Sequence, residues 1–242
     1  MRLHRRPFAG NDAVNHGVAQ RAVRRDLVAA QNTVELGAQT LDAAGPGWRL
    51  EGLRLPLLGV YQPSNALVAL AAARALGVRD AACREGLARA RWPGRFEVLR
   101  ARDRIVVLDG AHNPAGAAAL AASLTEWFGN TPLTLVFGAL RDKDAPGMLA
   151  ALAPRARRLI FTASSSPRAA RPEALRDAAP AGAAVELADS APEALALAAR
   201  EPRTPILCVA GSLSLLGDVL RATRGDKPCP IEKAADSIDS LF

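Results

Sequence analysis

Trp92-Pro-Gly-Arg-Phe-Glu97, the apolar run Ile105-Val-Val-Leu108 and the segment Asp109-Gly-Ala-His-Asn-Pro114 decide how this 242-residue chain is read. Pro93 and Gly94 interrupt any helix that precedes them. The apolar run has the length and β-branching of a buried strand, and Asn113 followed by Pro114 marks a helix start. Read as one extended passage, the stretch sets Arg95 and Asp109 at opposite ends of a strand. A guanidinium suits phosphate oxygens and a carboxylate accepts sugar hydroxyls, so this pair has the chemistry of a nucleotide site. Plainer alternatives stand beside that one. Arg95 can pair with Glu97 or another surface carboxylate, and Asp109 or Asn113 can simply cap the turn.

The strand-to-helix pattern recurs beyond this stretch. Short apolar runs at Leu133–Phe137, Leu159–Thr162, Val185–Leu187 and Ile206–Ala210 are separated by alanine- and leucine-rich segments of helical length. These are Pro114–Phe128, Ala145–Leu152, Pro172–Ala179, Ala191–Arg200 and Leu213–Ala222, with Ser190 placed to cap ahead of Pro192. Continuous apolar strands alternating with helices predict an α/β domain: an open, mainly parallel, Rossmann-like sheet with helices on both faces. Upstream, Trp48–Leu58 reads as extended, and helices are expected over Pro63–Leu76 and Arg79–Ala90. Residues 46–91 are too few to own a core, so they read as a small, mostly helical edge of another domain. One amphipathic helix is expected over about Asp12–Leu41 within residues 1–45, and residues 224–242 read as a mobile tail.

Half of the residues are hydrophobic and 23% are charged, which fits a globular chain. The net charge of +7 raises the question of nucleic acid. Its arginines are scattered singly, without the aromatic interleaving that stacks bases, so no nucleic-acid partner is expected. Three cysteines without close spacing indicate neither zinc nor a disulfide framework, and a cytoplasmic setting follows. No apolar run reaches membrane-spanning length, and the basic amino terminus lacks the apolar stretch of a signal peptide.

The remaining candidates cluster at strand ends, where ligands of open α/β sheets collect. His112 is either a hydrogen-bonding residue at a helix start or a neutral imidazole offered to an anion there. Lys143 follows the second strand of the α/β half, in a loop that is either solvated or turned into the same crevice. Gly211-Ser212 follows the last strand, and its N–H groups either face an anion or only turn the chain. No Gly-x-Gly-x-x-Gly follows any strand, which argues against a dinucleotide oxidoreductase, and no loop ending in Gly-Lys-Ser/Thr is present for a triphosphate.

Five segments then occur in a specific order: Leu58-Gly-Val-Tyr-Gln-Pro-Ser-Asn-Ala66, Trp92–Glu97, Asp109–Pro114, Phe137-Gly-Ala-Leu-Arg-Asp-Lys-Asp144 and Gly211-Ser-Leu-Ser-Leu-Leu-Gly217. Over about residues 46–222 the chain resembles the carboxy-terminal part of folylpolyglutamate synthase/dihydrofolate synthase, in the muramyl-peptide ligase superfamily. The resemblance implies an ATP-dependent ligase that joins L-glutamate to a folate-type acid through an acyl phosphate. It implies that residues 46–91 are the remnant of a central ATPase domain and 92–223 the glutamate ligase domain. By the same resemblance Asn65 contacts adenine, Arg95 binds phosphate and Asp109 binds ribose, while His112 and Ser212 line the glutamate and phosphate side. Tyr61 departs from the histidine often found there. In the family the phosphate loop and the Mg²⁺ ligands belong to an amino-terminal domain, so a separate amino-terminal half is an expected partner. The alternative is a non-catalytic nucleotide-binding or interaction module of the same fold.

Overall fold

The stretch around Arg95 is a hairpin rather than a single extended passage. The computed structural model describes residues 38–101, 104–200 and 204–223 in full. It also describes the backbones of Arg224 and of three strands at 21–25, 28–30 and 33–35. The chain divides into two compact units, Met1–Trp92 and Pro93–Phe242.

In the first unit, β1 (Arg21–Arg25), β4 (Gln39–Gly45) and β5 (Trp48–Leu55) form an antiparallel sheet in the order β1-β4-β5. A separate hairpin joins β2 (Val28–Ala30) to β3 (Thr33–Glu35). The amphipathic helix expected over Asp12–Leu41 is therefore absent from the described part of that range, and its first residues lie outside the described ones. Period-two burial explains β4, where Gln39, Leu41 and Ala43 face inward while their neighbours do not. Pairing with β5 then overrides the helical preference of the alanines.

Two helices follow, α1 (Gln62–Ala75) and α2 (Asp80–Ala88). Residues 46–91 thus hold two helices and the single strand β5, and together with β4 they own a core. Leu41, Ala43, Leu50, Leu53 and Leu55 of the sheet pack with Ala66 and Leu70 of α1 and Cys83 of α2. Residues 46–91 seemed too few for this because β4 supplies Leu41 and Ala43 from outside that range. Gln39 is fully buried, and its Nε2 donates to the Leu57 and Gly59 carbonyls at 2.6 and 3.2 Å, fixing the loop that leads into α1.

The second unit is a six-stranded sheet with α3 (Pro114–Phe128), α4 (Ala145–Leu152), α5 (Pro172–Asp177), α6 (Ala191–Ala198) and α7 (Leu213–Arg224). Its strands are β6 (Glu97–Ala101), β7 (Arg104–Leu108), β8 (Leu133–Phe137), β9 (Ala156–Thr162), β10 (Val185–Ala188) and β11 (Ile206–Ala210). The order is β10-β9-β8-β11-β7-β6, and every pairing is parallel except that of β6 with β7. The expected open, mainly parallel α/β sheet is the one observed.

Helix starts follow local chemistry. Asn113, Asp144 and Ser190 accept from the N–H three residues on, and a proline stands at the first or second helical position in each case. Helices α6 and α7 pack together over Val106, Leu108, Val136, Ile160, Leu207 and Val209. The alternate residues face the other way, where Phe137 meets Phe161 edge-on at 6.1 Å. Helix α3 packs against α4, and right-handed crossovers set both on that opposite face. The helix after β11 thus leaves on the side opposite those after its neighbours β7 and β8. Such a reversal opens a crevice at the carboxyl ends of these strands.

Candidate functional site

The β6–β7 hairpin folds the sequence back on itself, pairing Glu97 with Leu108. Arg95 and Asp109 consequently lie on the same edge of the sheet, not at opposite ends of one strand. Only Arg102 and Asp103 lie between β6 and β7, with no glycine or proline to mark the reversal.

Arg95 is exposed on a turn with an unusual backbone. Gly94 has φ 69° and Phe96 φ 48°, and Phe96 is the one non-glycine among the described residues in the left-handed region. A bulky residue there is strained and persists only where its surroundings over-determine it. Three contacts do so. The Gly94 N–H donates to Glu97 Oε2 at 2.8 Å, the Gly110 N–H donates to the Gly94 carbonyl at 2.8 Å, and the Phe96 N–H donates to Asp109 Oδ2 at 2.8 Å. The Phe96 ring is itself buried at 1% exposure. Glu97 thus ties the turn through Gly94. Its role was not read from the sequence, although a glycine with a carboxylate three residues on is the signal for it.

Asp109 is only 3% exposed, and its second oxygen, Oδ1, accepts from the Ala111 N–H at 2.8 Å. Next along, the His112 ring bonds through Nδ1 to the Gly110 carbonyl at 2.8 Å. A carbonyl only accepts, so Nδ1 carries the proton of this bond and Nε2 is the ring nitrogen left to face a ligand. His112 itself is half-buried.

Ser212 is 2% exposed, and its hydroxyl accepts from the Leu215 N–H at 3.1 Å, capping the start of α7. The Ser212 loop is stitched to the Asp109 loop by the Gly211 N–H, which donates to the Ala111 carbonyl at 3.1 Å. Glycines make these approaches possible. A Cβ on Gly110 would lie 2.4 Å from Leu213 Cδ2, and one on Gly211 would lie 2.7 Å from the Gly138 carbonyl oxygen. The structure therefore gathers Arg95, Asp109, His112 and Ser212 at the ends of adjacent strands.

Lys143 lies one strand further, in the β8–α4 loop, where its Nζ is 3.9 Å from Asp142 Oδ2. Asp142 also accepts from Arg168 at 2.7 Å, and that bond holds its carboxyl below the ordinary carboxylate range. Asn65 belongs to the first unit. It stands on the first turn of α1, exposed, with its Nδ2 donating to Gln62 Oε1 at 3.1 Å.

Among the described residues no group of three or more His, Cys, Asp or Glu side chains could hold a metal ion, and no helix is long and apolar enough to cross a membrane. Cys208 is fully buried in β11, and desolvation, with the nearby Asp109 charge, pushes its thiol far above the usual range. It is an inert core residue rather than a nucleophile.

A mainly parallel sheet with polar side chains on the loops at its carboxyl edge describes many enzymes; comparison with known proteins narrows the class. Residues 94–213 match the family described as Mur ligase, glutamate ligase domain. This stretch is a Mur ligase C-terminal domain, and the chain belongs to that superfamily.

Within it, the similarity runs to the folylpolyglutamate/dihydrofolate synthase-like proteins. The dihydrofolate synthase/folylpolyglutamate synthase of Mycobacterium tuberculosis is 38% identical over 161 residues, covering 64% of this chain and 33% of that protein. Folylpolyglutamate synthase from the same organism, solved with ADP and AMPPCP, superposes with a TM-score of 0.71 at 34% identity. That match covers 85% of this chain and 48% of the other. The Yersinia pestis bifunctional enzyme, complexed with AMPPNP and a Mn ion, gives 0.66 at 26% identity, over 76% of this chain and 44% of that one. The chain spans less than half the length of each of these relatives.

Proposed function

We propose that this chain supplies the glutamate ligase side of an ATP-dependent amide synthase, with a folate-type acid as acceptor and L-glutamate as the incoming amino acid. The observation that carries the reading is the strained turn that presents Arg95 at the carboxyl edge, beside Asp109, His112 and Ser212. Support comes from the ADP- and ATP-analogue-bound relatives of the same fold.

In this reading Arg95 takes phosphate oxygens, Asp109 accepts from ribose hydroxyls, and Asn65 contacts adenine. His112 keeps its Nε2 lone pair for a hydrogen bond from the glutamate ammonium group, and the Ser212 hydroxyl still has its proton to donate to an anionic oxygen. The γ-phosphoryl group moves to the acceptor carboxylate, releasing ADP. The glutamate ammonium group first gives up one proton, the resulting amine attacks the acyl carbon, the bond from that carbon to the phosphate oxygen breaks, and the nitrogen loses a second proton. Interactions that strengthen as charge develops on phosphate are the ones that accelerate such transfer. The described residues include no cluster of three or more metal-ligating side chains, and no step here is assigned to a divalent cation.

The sequence holds no Gly-Lys-Ser/Thr loop, so the triphosphate is expected to be held by an amino-terminal domain on a partner or parent chain. Residues 46–91 then belong to the central domain and 92–223 to the ligase domain. The free, buried Cys83 and Cys208 accord with a cytoplasmic setting.

A second reading is a nucleotide-binding or interaction module of this fold with no turnover of its own. Mixing the purified chain with an isolated amino-terminal half from a relative separates the two. Release of ADP that requires both glutamate and a folate-type acid supports the ligase. A complex that forms yet releases no ADP leaves the module.

A further inference from the structure

We propose that Asp109 is a positioning residue for Arg95, setting the guanidinium's origin through the Phe96 turn independently of any ribose contact. The proposal rests on the nucleotide reading of the site and extends it.

A carboxylate that serves only a ligand keeps its oxygens toward solvent. Here the group is 3% exposed, and each oxygen accepts a backbone N–H at 2.8 Å, Oδ2 from Phe96 and Oδ1 from Ala111. The two donors belong to different strands' ends, so the carboxylate bridges the turn before β6 to the loop after β7. Only a side chain that accepts through both atoms can do this. Asparagine has one accepting oxygen, and its amide would oppose one of the two N–H groups.

The bridge also explains why a buried phenylalanine tolerates φ 48°. Strain of this kind needs an anchor, and the Phe96 N–H bond to Asp109 is the one that acts on the strained residue itself. Arg95 lies between two fixed neighbours, Gly94 held by Gly110 and Glu97, and Phe96 held by Asp109. Its Cα is therefore fixed by backbone contacts while its side chain stays exposed.

The test compares the binding of adenosine and of ADP to the full chain by calorimetry or NMR titration. Arg95→Ala defines how much of the preference for ADP belongs to the guanidinium, expected at about tenfold or more for a charge-assisted contact. If Asp109 positions Arg95, Asp109→Ala erases that preference to the same extent, over and above any equal loss in both ligands. A ribose-only role lowers both affinities by one factor and leaves their ratio intact, which overturns the proposal.

Should Asp109→Ala not fold, Gly94→Ala carries the test. Its φ of 69° strains an L-residue whatever the space, and its Cβ would lie 2.7 Å from Leu216 Cδ1, so the turn is perturbed with the carboxylate intact. Adenosine affinity is then expected to hold while the ADP preference falls, and an intact preference overturns the proposal.

If the unaltered chain binds neither ligand, the nucleotide reading is what fails. Amide exchange at Phe96 still decides the Asp109 anchor: exchange more than tenfold faster in Asp109→Ala supports it, and unchanged exchange refutes it.

Discussion

Replacing Gly211 with alanine tests the stitched strand ends most sharply. Gly211 has φ 113°, where an L-residue is strained, at a cost of about 1–3 kcal/mol. Its added Cβ would also lie 2.7 Å from the Gly138 carbonyl oxygen and 2.9 Å from Phe137 Cε2. Neither neighbour is a flexible side-chain end, so the backbone must shift, adding about 1–3 kcal/mol as overpacking does. The sum is about 2–6 kcal/mol, a fall in Tm of very roughly 5–20 °C for a domain of this size. Gly182 supplies the control, with φ 79° and nothing within 4 Å of its Cβ position. Gly182→Ala carries only the backbone cost, about 1–2 kcal/mol. Urea unfolding of both variants isolates the close approach as the difference between them. Equal losses for the two would refute the packing of the β7, β8 and β11 ends described above.

Two further outcomes are expected. Glu186 is held below the usual carboxylate range chiefly by its hydrogen bonds from Arg158, at 2.5 and 2.9 Å. A lowered folded value means the unfolded chain takes up the proton first. The pair therefore adds stability above about pH 4–5 and loses it as pH falls further. Because the Glu186 side chain is 41% exposed, screening limits the effect to about 1 kcal/mol or less. Glu186→Gln should flatten the acid limb of stability against pH, and an unaltered limb argues against the pair. The buried Cys208 thiol should stay unlabelled by a maleimide in the folded protein and react on unfolding, as peptide mapping can show; labelling under native conditions contradicts its burial.

The second unit was legible in the sequence because its physics is local. Leu133–Phe137 and Ile206–Ala210 are apolar throughout, since both faces of a parallel sheet are covered, and the observed strands coincide with those runs. Asn113 and Pro114 likewise announce α3 by needs internal to one turn. What the sequence hid depends on distant pairing. Nothing in Ile206–Ala210 says that it inserts between β7 and β8.

The amphipathic helix expected over about Asp12–Leu41 gives way at its carboxyl end to strand pairing of β4 with β5. At the site the residue types were readable, whereas their arrangement was not. Arg95 and Asp109 share an edge only because β6 turns back on β7, and Phe96 carries no local mark of its left-handed backbone. The burial of Asp109 and of Ser212, both engaged with backbone N–H groups, was equally out of reach of a spacing argument.

The account stands or falls on whether the exposed guanidinium beside Asp109 meets phosphate. Calorimetric titration of ADP into the unaltered chain and into Arg95→Ala measures this directly. The expected result is binding weakened by about 1–3 kcal/mol in the variant, the scale of lost charge-assisted hydrogen bonds. Equal affinity in the two proteins would make Arg95 a surface arginine and contradict the account.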